Sequence, residues 1–428
     1  MIKVGQVLEG TIRLNNSGSA YLVSHELSKD VYINRKNTNK ALHLDTVKIK
    51  VVKGKGREIE GVVTEILQRF KMEFVGTIKK INSHIRFVPD SSRMNININI
   101  ASNKLMNATV DQKVIVKIIK WNGRNPDGEV IKILGHARDN EVEIHSILHE
   151  YDLPYDFPLD VISEAEALTG TKHDLENRLD LRQVDTFTID PEDAKDFDDA
   201  LSVEYVDGNI RVGIHIADVS YYVRPDTQLD KEAFKRGTSI YLVDRVVPML
   251  PEVLSNDLCS LKPHVDRLAF SAIFTLDRQG NILEEKFTKS IINSNHRYTY
   301  EQAQDVIENG PNPNVVTDKY IPELNFIAKQ LRKRRGKEGS MTFDTHEIKF
   351  KLVDNKPVDV IFKVTKDSNN LIEEFMLLAN KRVAAVLKKN DYPVVNRVHE
   401  EPSQLKLAEL KTLVKEFGYK INIDSTQQ

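Results

Sequence analysis

Two periodicities divide the chain. Over residues 1–140, apolar and polar positions alternate in short runs. Val47, Ile49 and Val51 alternate with Thr46, Lys48 and Lys50, the period of a half-buried strand. The tract from Asn95 to Ile100 alternates in the same way. Clusters such as Asn15-Asn16-Ser17-Gly18 and Asn122-Gly123 punctuate these runs as turns. From about residue 181 the pattern mixes strands with helices. Val212 to Ala217 is a near-continuous apolar run that predicts a buried strand. Helical spacing covers about 318–336 and 370–390, and in the latter Leu371, Phe375, Leu378, Val383, Ala384 and Leu387 share a face. Between the two regions, Pro154 and Pro158 mark an extended connector, and Ser163 to Leu168 reads as a capped helix ended by Gly170. Leu405 to Phe417 reads as an amphipathic helix.

The first region contains a repeat. Glu9-Gly10-Thr11-Ile12 recurs as Val75-Gly76-Thr77-Ile78, the strand beginning at Asp45 recurs from Gln112, and Glu60-Gly61-Val62-Val63 recurs as Asp127-Gly128-Glu129-Val130. Three collinear matches at an offset of 66 or 67 residues indicate a duplicated unit. A unit of that size, built of short strands, suits a small closed barrel of the OB or cold-shock type, which binds single strands by stacking bases on aromatics in a basic groove. Tyr21 and Tyr32, flanked by Arg35 and Lys36, are the candidate stacking residues; Phe87 fits either stacking or core. Charge agrees with this division. Residues 1–140 hold 24 Lys and Arg against 13 Asp and Glu, and the remainder holds 37 against 50, so a net charge of −2 hides a basic front and an acidic rear. The expected organisation is barrels at 1–70 and 71–140, a connector with a short helix at 141–180, and an α/β domain at 181–428. No apolar run is long enough to span a bilayer, and the N-terminus lacks a signal-peptide pattern. The single cysteine, Cys259, excludes an intrachain disulfide, and the histidines have no zinc spacing. A cytoplasmic protein without a membrane partner is the expectation.

The most informative stretch is TIDPEDAKDFDDALS, residues 188–202, which places six carboxylates within ten residues. Crowded carboxylates raise one another's pKa, and a hard cation relieves the repulsion. Mg²⁺ takes oxygen ligands and keeps waters for a phosphate substrate. A solvated acidic loop is the competing reading; Phe197, between Asp196 and Asp198, offers an anchor for the loop in the core.

This string resembles the nuclease motif of the ribonuclease R/ribonuclease II family. Collinear with it are RLDLRQVDTFTID, IHIADVSYYV, SIYLVDRVVPMLPEVLSNDLCSL, MTFD, LIEEFMLLAN and RVHEEPS, spanning about residues 178–402. The resemblance implies two cold-shock barrels ahead of an α/β (α+β) RNB-type nuclease domain. It also implies processive 3′→5′ hydrolysis of single-stranded RNA to nucleoside 5′-monophosphates in RNA turnover. Asp190, Asp196, Asp198 and Asp199 match the family's catalytic carboxylates, implied to hold Mg²⁺, with Mn²⁺ as the expected substitute. Asp198 is expected to be the least replaceable and Asp190 and Asp199 the firmest ligands. Tyr241 and Phe343 match aromatics that pack on the RNA 3′ end. Glu373 or Glu374 is implied as a substrate contact, and Arg397 and His399 as backbone contacts. His215 reads as a satisfied core histidine and Cys259 as structural. No obligate protein partner is implied. Two departures stand out: Tyr221 replaces a usual histidine, and the chain stops at Gln428, ahead of the family's C-terminal part, which carries an arginine implied to stabilise the transition state. The expectation is therefore a truncated domain, and the alternative reading is a catalytically incomplete RNA-binding fragment of such a nuclease.

Overall fold

The computed structural model describes residues 2–24, 30–53, 59–81, 84–94, 96–121, 123, 125–169, 175–341, 347–353, 356–396, 398 and 404–421. Strands β1 (Val7–Leu14), β2 (Ala20–Val23), β3 (Val31–Ile33), β4 (Thr46–Lys53) and β5 (Glu60–Gln68) are followed by β6 (Glu73–Ile81), β7 (His84–Pro89), β8 (Ile98–Ile100), β9 (Gln112–Lys120) and β10 (Asp127–His136). Helices α1 (Asn140–Glu150) and α2 (Leu159–Ala167) come next, then β11 (Leu179–Asp180), β12 (Thr186–Asp190), β13 (Asp199–Val206), β14 (Asn209–Ala217), α3 (Val219–Tyr222) and α4 (Gln228–Arg236). The hairpin β15 (Ile240–Tyr241) and β16 (Val246–Val247) precedes β17 (Asp266–Leu276), β18 (Ile282–Asn293), β19 (His296–Thr299), α5 (Tyr300–Asn309) and α6 (Ile321–Lys337). The hairpin β20 (Glu347–Val353) and β21 (Lys356–Lys363), then α7 (Asp367–Lys389) and α8 (Gln404–Glu416), complete the described elements. They fall into two compact units: residues 1–171, 223–255 and 347–363, and residues 172–222, 256–346 and 364–428.

In the first unit, β1–β5 close one barrel in the order β1-β2-β3-β5-β4, and β6–β10 close a second in the equivalent order. The repeat is therefore a structural duplication. In both barrels the third strand runs parallel to the last, Ile33 beside Gly61 and Ile100 beside Gly128. Alternation sets the packing: Val47, Ile49 and Val51 are buried, and Lys50 between them is exposed. The repeated Gly10 and Gly76 share a cause. A Cβ at Gly10 would lie 2.6 Å from the Val23 carbonyl oxygen, and one at Gly76 would lie 2.3 Å from that of Val88, so only glycine lets the second strand approach. Of the described residues of the tract, 96–100, only Ile98–Ile100 form a strand, and Asn95 lies outside the described residues.

The connector holds two helices. α1, unforeseen from sequence, is capped by the Asp139 side chain at the Glu141 N–H, and it buries Val142, Ser146 and Leu148. Its Glu143 and the Asp90 of barrel two both pair with the buried Lys113. α2 begins at Leu159, four residues ahead of the expected Ser163, because Pro158 occupies the N-cap position.

The second unit is a seven-stranded sheet in the order β11-β18-β17-β14-β13-β12-β19. One face packs on α5, α6 and α7: Phe187, Leu201, Val212 and Phe274 meet Ala303, Leu324, Ile327, Leu371 and Phe375 in one continuous core. The opposite face carries a buried polar chain. His215, fully buried, bonds Ser271 Oγ through Nδ1 at 2.6 Å and Ser202 Oγ through Nε2 at 2.8 Å. Burial pushes its pKa down to about 3. A Cβ at Gly213 would stand 2.3 Å from Ser202 Oγ and 2.7 Å from the imidazole, so glycine leaves room for this pair. Cys259 is buried, and burial pushes its thiol up to about 12, which keeps it unreactive.

Candidate active site

Asp190 is the last residue of β12, and Asp199 is the first of its antiparallel neighbour β13. The loop between them carries Asp196 and Asp198, so the fold gathers all four aspartates at one end of adjacent strands. The loop is held from its backbone. The Phe197 N–H donates to Ser260 Oγ at 3.0 Å, the Leu261 N–H to the Phe197 carbonyl at 2.9 Å, and Ser260 Oγ to the Lys195 carbonyl at 2.8 Å. The Ala217 N–H donates to the Asp198 carbonyl at 3.0 Å. Ser260 and Leu261 belong to the SNDLCSL stretch, whose contribution is thus to clamp the loop.

The electrostatics mark Asp190 and Asp199 apart from a solvated charge run. Asp190 is 8% exposed, and its Oδ2 is buried without a hydrogen-bond partner. Burial, reinforced by Asp199 and Asp196, pushes its pKa up to about 7. Burial and then Asp198 push Asp199 up to about 6, and burial and then Asp196 raise Asp198. Among the described residues, no three His, Cys, Asp or Glu side chains form a ready-made cation cage. The donor set still fits a hard cation: all its ligating atoms are oxygens, and one of them is buried and unsatisfied.

Two further residues come to the loop from a strand and the start of the helix after it, more than a hundred positions downstream. β19 pairs in parallel with β12, aligning Arg297 with Thr188 and Thr299 with Asp190. Arg297 Nη2 donates to the carbonyls of Pro191 and Glu192, and its guanidinium lies 5.5 Å from the Phe197 ring centroid. Tyr300 opens α5, behind a capping box of Thr299 and Gln302. Burial and the nearby Asp199 and Asp190 push its phenol up to about 12, so it stays a hydrogen-bond donor. Neither residue belongs to a motif read from the sequence.

Residues 178–428 match the family model described as the RNB domain. The chain belongs to the RNB-domain family. Residues 10–66 match the Ribonuclease B OB domain, and residues 87–158 the Cold shock domain. The chain is similar to Ribonuclease R of Thermotoga maritima, 37% identical over 433 residues, covering 97% of this chain and 60% of that protein. It is likewise similar to Ribonuclease R of Aquifex aeolicus, 34% identical over 428 residues with the same coverage. Among solved structures it is similar to Mycoplasma genitalium RNase R in complex with ribose-methylated single-stranded RNA, with a TM-score of 0.91 and 26% identity, covering 98% of this chain and 68% of that one. The chain thus spans about 60% of the length of these curated relatives. Two OB-type barrels ahead of an RNB domain is the architecture the sequence predicted.

The remaining candidates lie apart from the loop in sequence. Tyr21 and Tyr32 face each other across β2 and β3 on the outside of barrel one, ring centroids 5.5 Å apart and edge to face. Tyr21 is 44% exposed, and Arg13 is its cross-strand neighbour. In barrel two the equivalent positions hold Arg86 and Asn99, while Phe87 is fully buried beneath Gly76. Phe87 is therefore core. Tyr241 lies on β15, 69% exposed. Glu374 is buried in α7 and paired with Arg335, which also reaches Glu373 at 3.3 Å and Ser340 Oγ at 2.9 Å. Glu374 thus has a structural partner, whereas Glu373 is exposed. Phe343, Arg397 and His399 lie outside the described residues. No described helix is long and apolar enough to cross a membrane.

Proposed function

We propose that this chain carries the RNA-binding barrels and the metal site of a 3′→5′ exoribonuclease. It hydrolyses single-stranded RNA processively to nucleoside 5′-monophosphates during RNA turnover in the cytoplasm. The observation that carries the reading is Asp190, a buried carboxylate with an unsatisfied oxygen beside Asp199, within an RNB domain. RNA as substrate is supported by the structural neighbour solved with single-stranded RNA.

Asp190, Asp196, Asp198 and Asp199 are the residues to hold Mg²⁺, and Mn²⁺ would serve in its place. When bound there, the ion would supply Lewis-acid charge to a phosphodiester and acidify a water for its hydrolysis. The protein's own groups prepare the site. Asp190 and Asp199, raised towards neutrality by burial, would give up any bound proton to a cation held there. Tyr300, kept protonated, donates to a substrate oxygen. Tyr21 and Tyr32 offer base-stacking surfaces that tolerate any sequence, and Tyr241 and Phe343 are assigned the same role at the 3′ end. One of Glu373 and Glu374 keeps its proposed substrate contact, and Glu373 is the better placed, being exposed while Glu374 pairs with Arg335; Arg397 keeps its proposed contact to the substrate backbone.

Digestion of 5′-labelled single-stranded RNA with Mg²⁺ tests the reading, comparing the chain with its Asp198→Asn variant. Shortening from the 3′ end by the chain alone supports it. A second reading, RNA binding without turnover, rests on the two closed barrels that match the OB and cold-shock domain models. It predicts salt-sensitive binding by both proteins and cleavage by neither.

A further inference from the structure

We infer that Arg297 is the positioning residue that shapes the acidic loop to receive a cation. The inference rests on the metal-dependent reading above and concerns a residue outside the aspartate motif. One guanidinium touches both arms of the loop. Through Nη2 it takes the carbonyls of Pro191 and Glu192, the two residues that follow Asp190. Its guanidinium carbon lies over the ring of Phe197, 5.5 Å from the centroid, and Phe197 sits between Asp196 and Asp198. The backbone places it there: β19 runs parallel to β12, with Arg297 in register with Thr188, two residues before Asp190. Its Nε is buried without a hydrogen-bond partner.

A loop with six carboxylates in ten residues repels itself and would splay in the absence of a cation. Arg297 opposes this with a fixed positive charge and a terminal nitrogen, Nη2, that donates to two successive carbonyls. Lysine has the charge but not the planar guanidinium that lies over the Phe197 ring. The arrangement is that of a group that orients ligands without touching the metal.

Two readings of Arg297 predict opposite signs. A bystander cation near a metal site repels the metal, so its removal tightens binding. A positioning residue holds the ligands in place, so its removal weakens binding.

The experiment is a Mn²⁺ titration of the whole chain followed by electron paramagnetic resonance, with Mg²⁺ as competitor. It compares wild type, Arg297→Met, Arg297→Lys, Phe197→Leu and Asp198→Asn, with thermal unfolding to check each fold. Both Arg297 variants should weaken Mn²⁺ binding by roughly 10–100-fold, and Phe197→Leu should weaken it less. Arg297→Lys and Phe197→Leu keep the test decisive should Arg297→Met fail to fold. Equal or tighter binding by Arg297→Met, or full affinity in Arg297→Lys, overturns the inference while leaving the metal site standing. If wild type binds no Mn²⁺, or Asp198→Asn binds it equally well, the metal site itself falls and this inference with it.

Discussion

Asp190→Asn should make the metal-free protein more stable while removing its metal site. The carboxyl is 8% exposed, and burial moves its pKa from 3.8 to about 7. The folded state therefore binds this proton more tightly than the unfolded chain, and the ionised carboxylate opposes folding. Each pKa unit is worth about 1.4 kcal/mol, so the penalty at pH 8 reaches about 4 kcal/mol. It shrinks as pH falls from 7 towards 3.8, to about 2 kcal/mol at pH 5.5. Asparagine keeps the shape without the charge but buries an amide, so the net gain at pH 8 should be about 2–4 kcal/mol. For a unit of this size that raises the unfolding transition by on the order of 10 °C. Calorimetry of both proteins at pH 8 and pH 5.5 in chelator reads the effect, and the gap should narrow at the lower pH. Adding Mg²⁺ should raise the wild-type transition and leave the variant unmoved. A variant no more stable than wild type at pH 8 in chelator would refute the argument, because Asp190 would then carry no buried-charge penalty.

His215 has the opposite slope: its folded pKa of about 3 lies below the ordinary 6.5, so stability is lost as pH falls below 6.5, by about 2 kcal/mol at pH 5. Because Asp190 compensates in the same window, urea titrations should reveal this loss most clearly in the Asp190→Asn background, and its persistence after His215→Gln would assign it elsewhere. Tyr21→Ala and Tyr32→Ala should each weaken single-stranded RNA binding by about 1–3 kcal/mol in fluorescence anisotropy, and unchanged affinity would make the pair merely structural. The logarithm of RNA affinity should fall linearly with log salt at a slope of roughly −0.7 per phosphate contact, so a salt-independent constant would exclude the basic barrels as the binding surface.

Local periodicity was enough to read the barrels. Val47, Ile49 and Val51 alternate because each strand has one buried face, and the repeated Gly10 and Gly76 mark the same close strand approach twice. The clustering of the four aspartates was also legible, since a loop joining two adjacent strands keeps its residues contiguous in sequence. Helix α1 was not: its stability comes from packing Val142 and pairing Glu143 with Lys113, which its own polar sequence does not announce. Nor could pattern alone separate Phe87 from Tyr21, because which ring faces outward depends on strand register. Above all, tertiary structure decided what surrounds the aspartates. The parallel pairing of β12 with β19 brings Arg297 and Tyr300 to the loop across more than a hundred residues of chain. Burial then raises Asp190 and Asp199 towards neutrality. The sequence by itself determined which groups can ligate a cation; their charge state and their bracing depend on neighbours that local spacing does not encode.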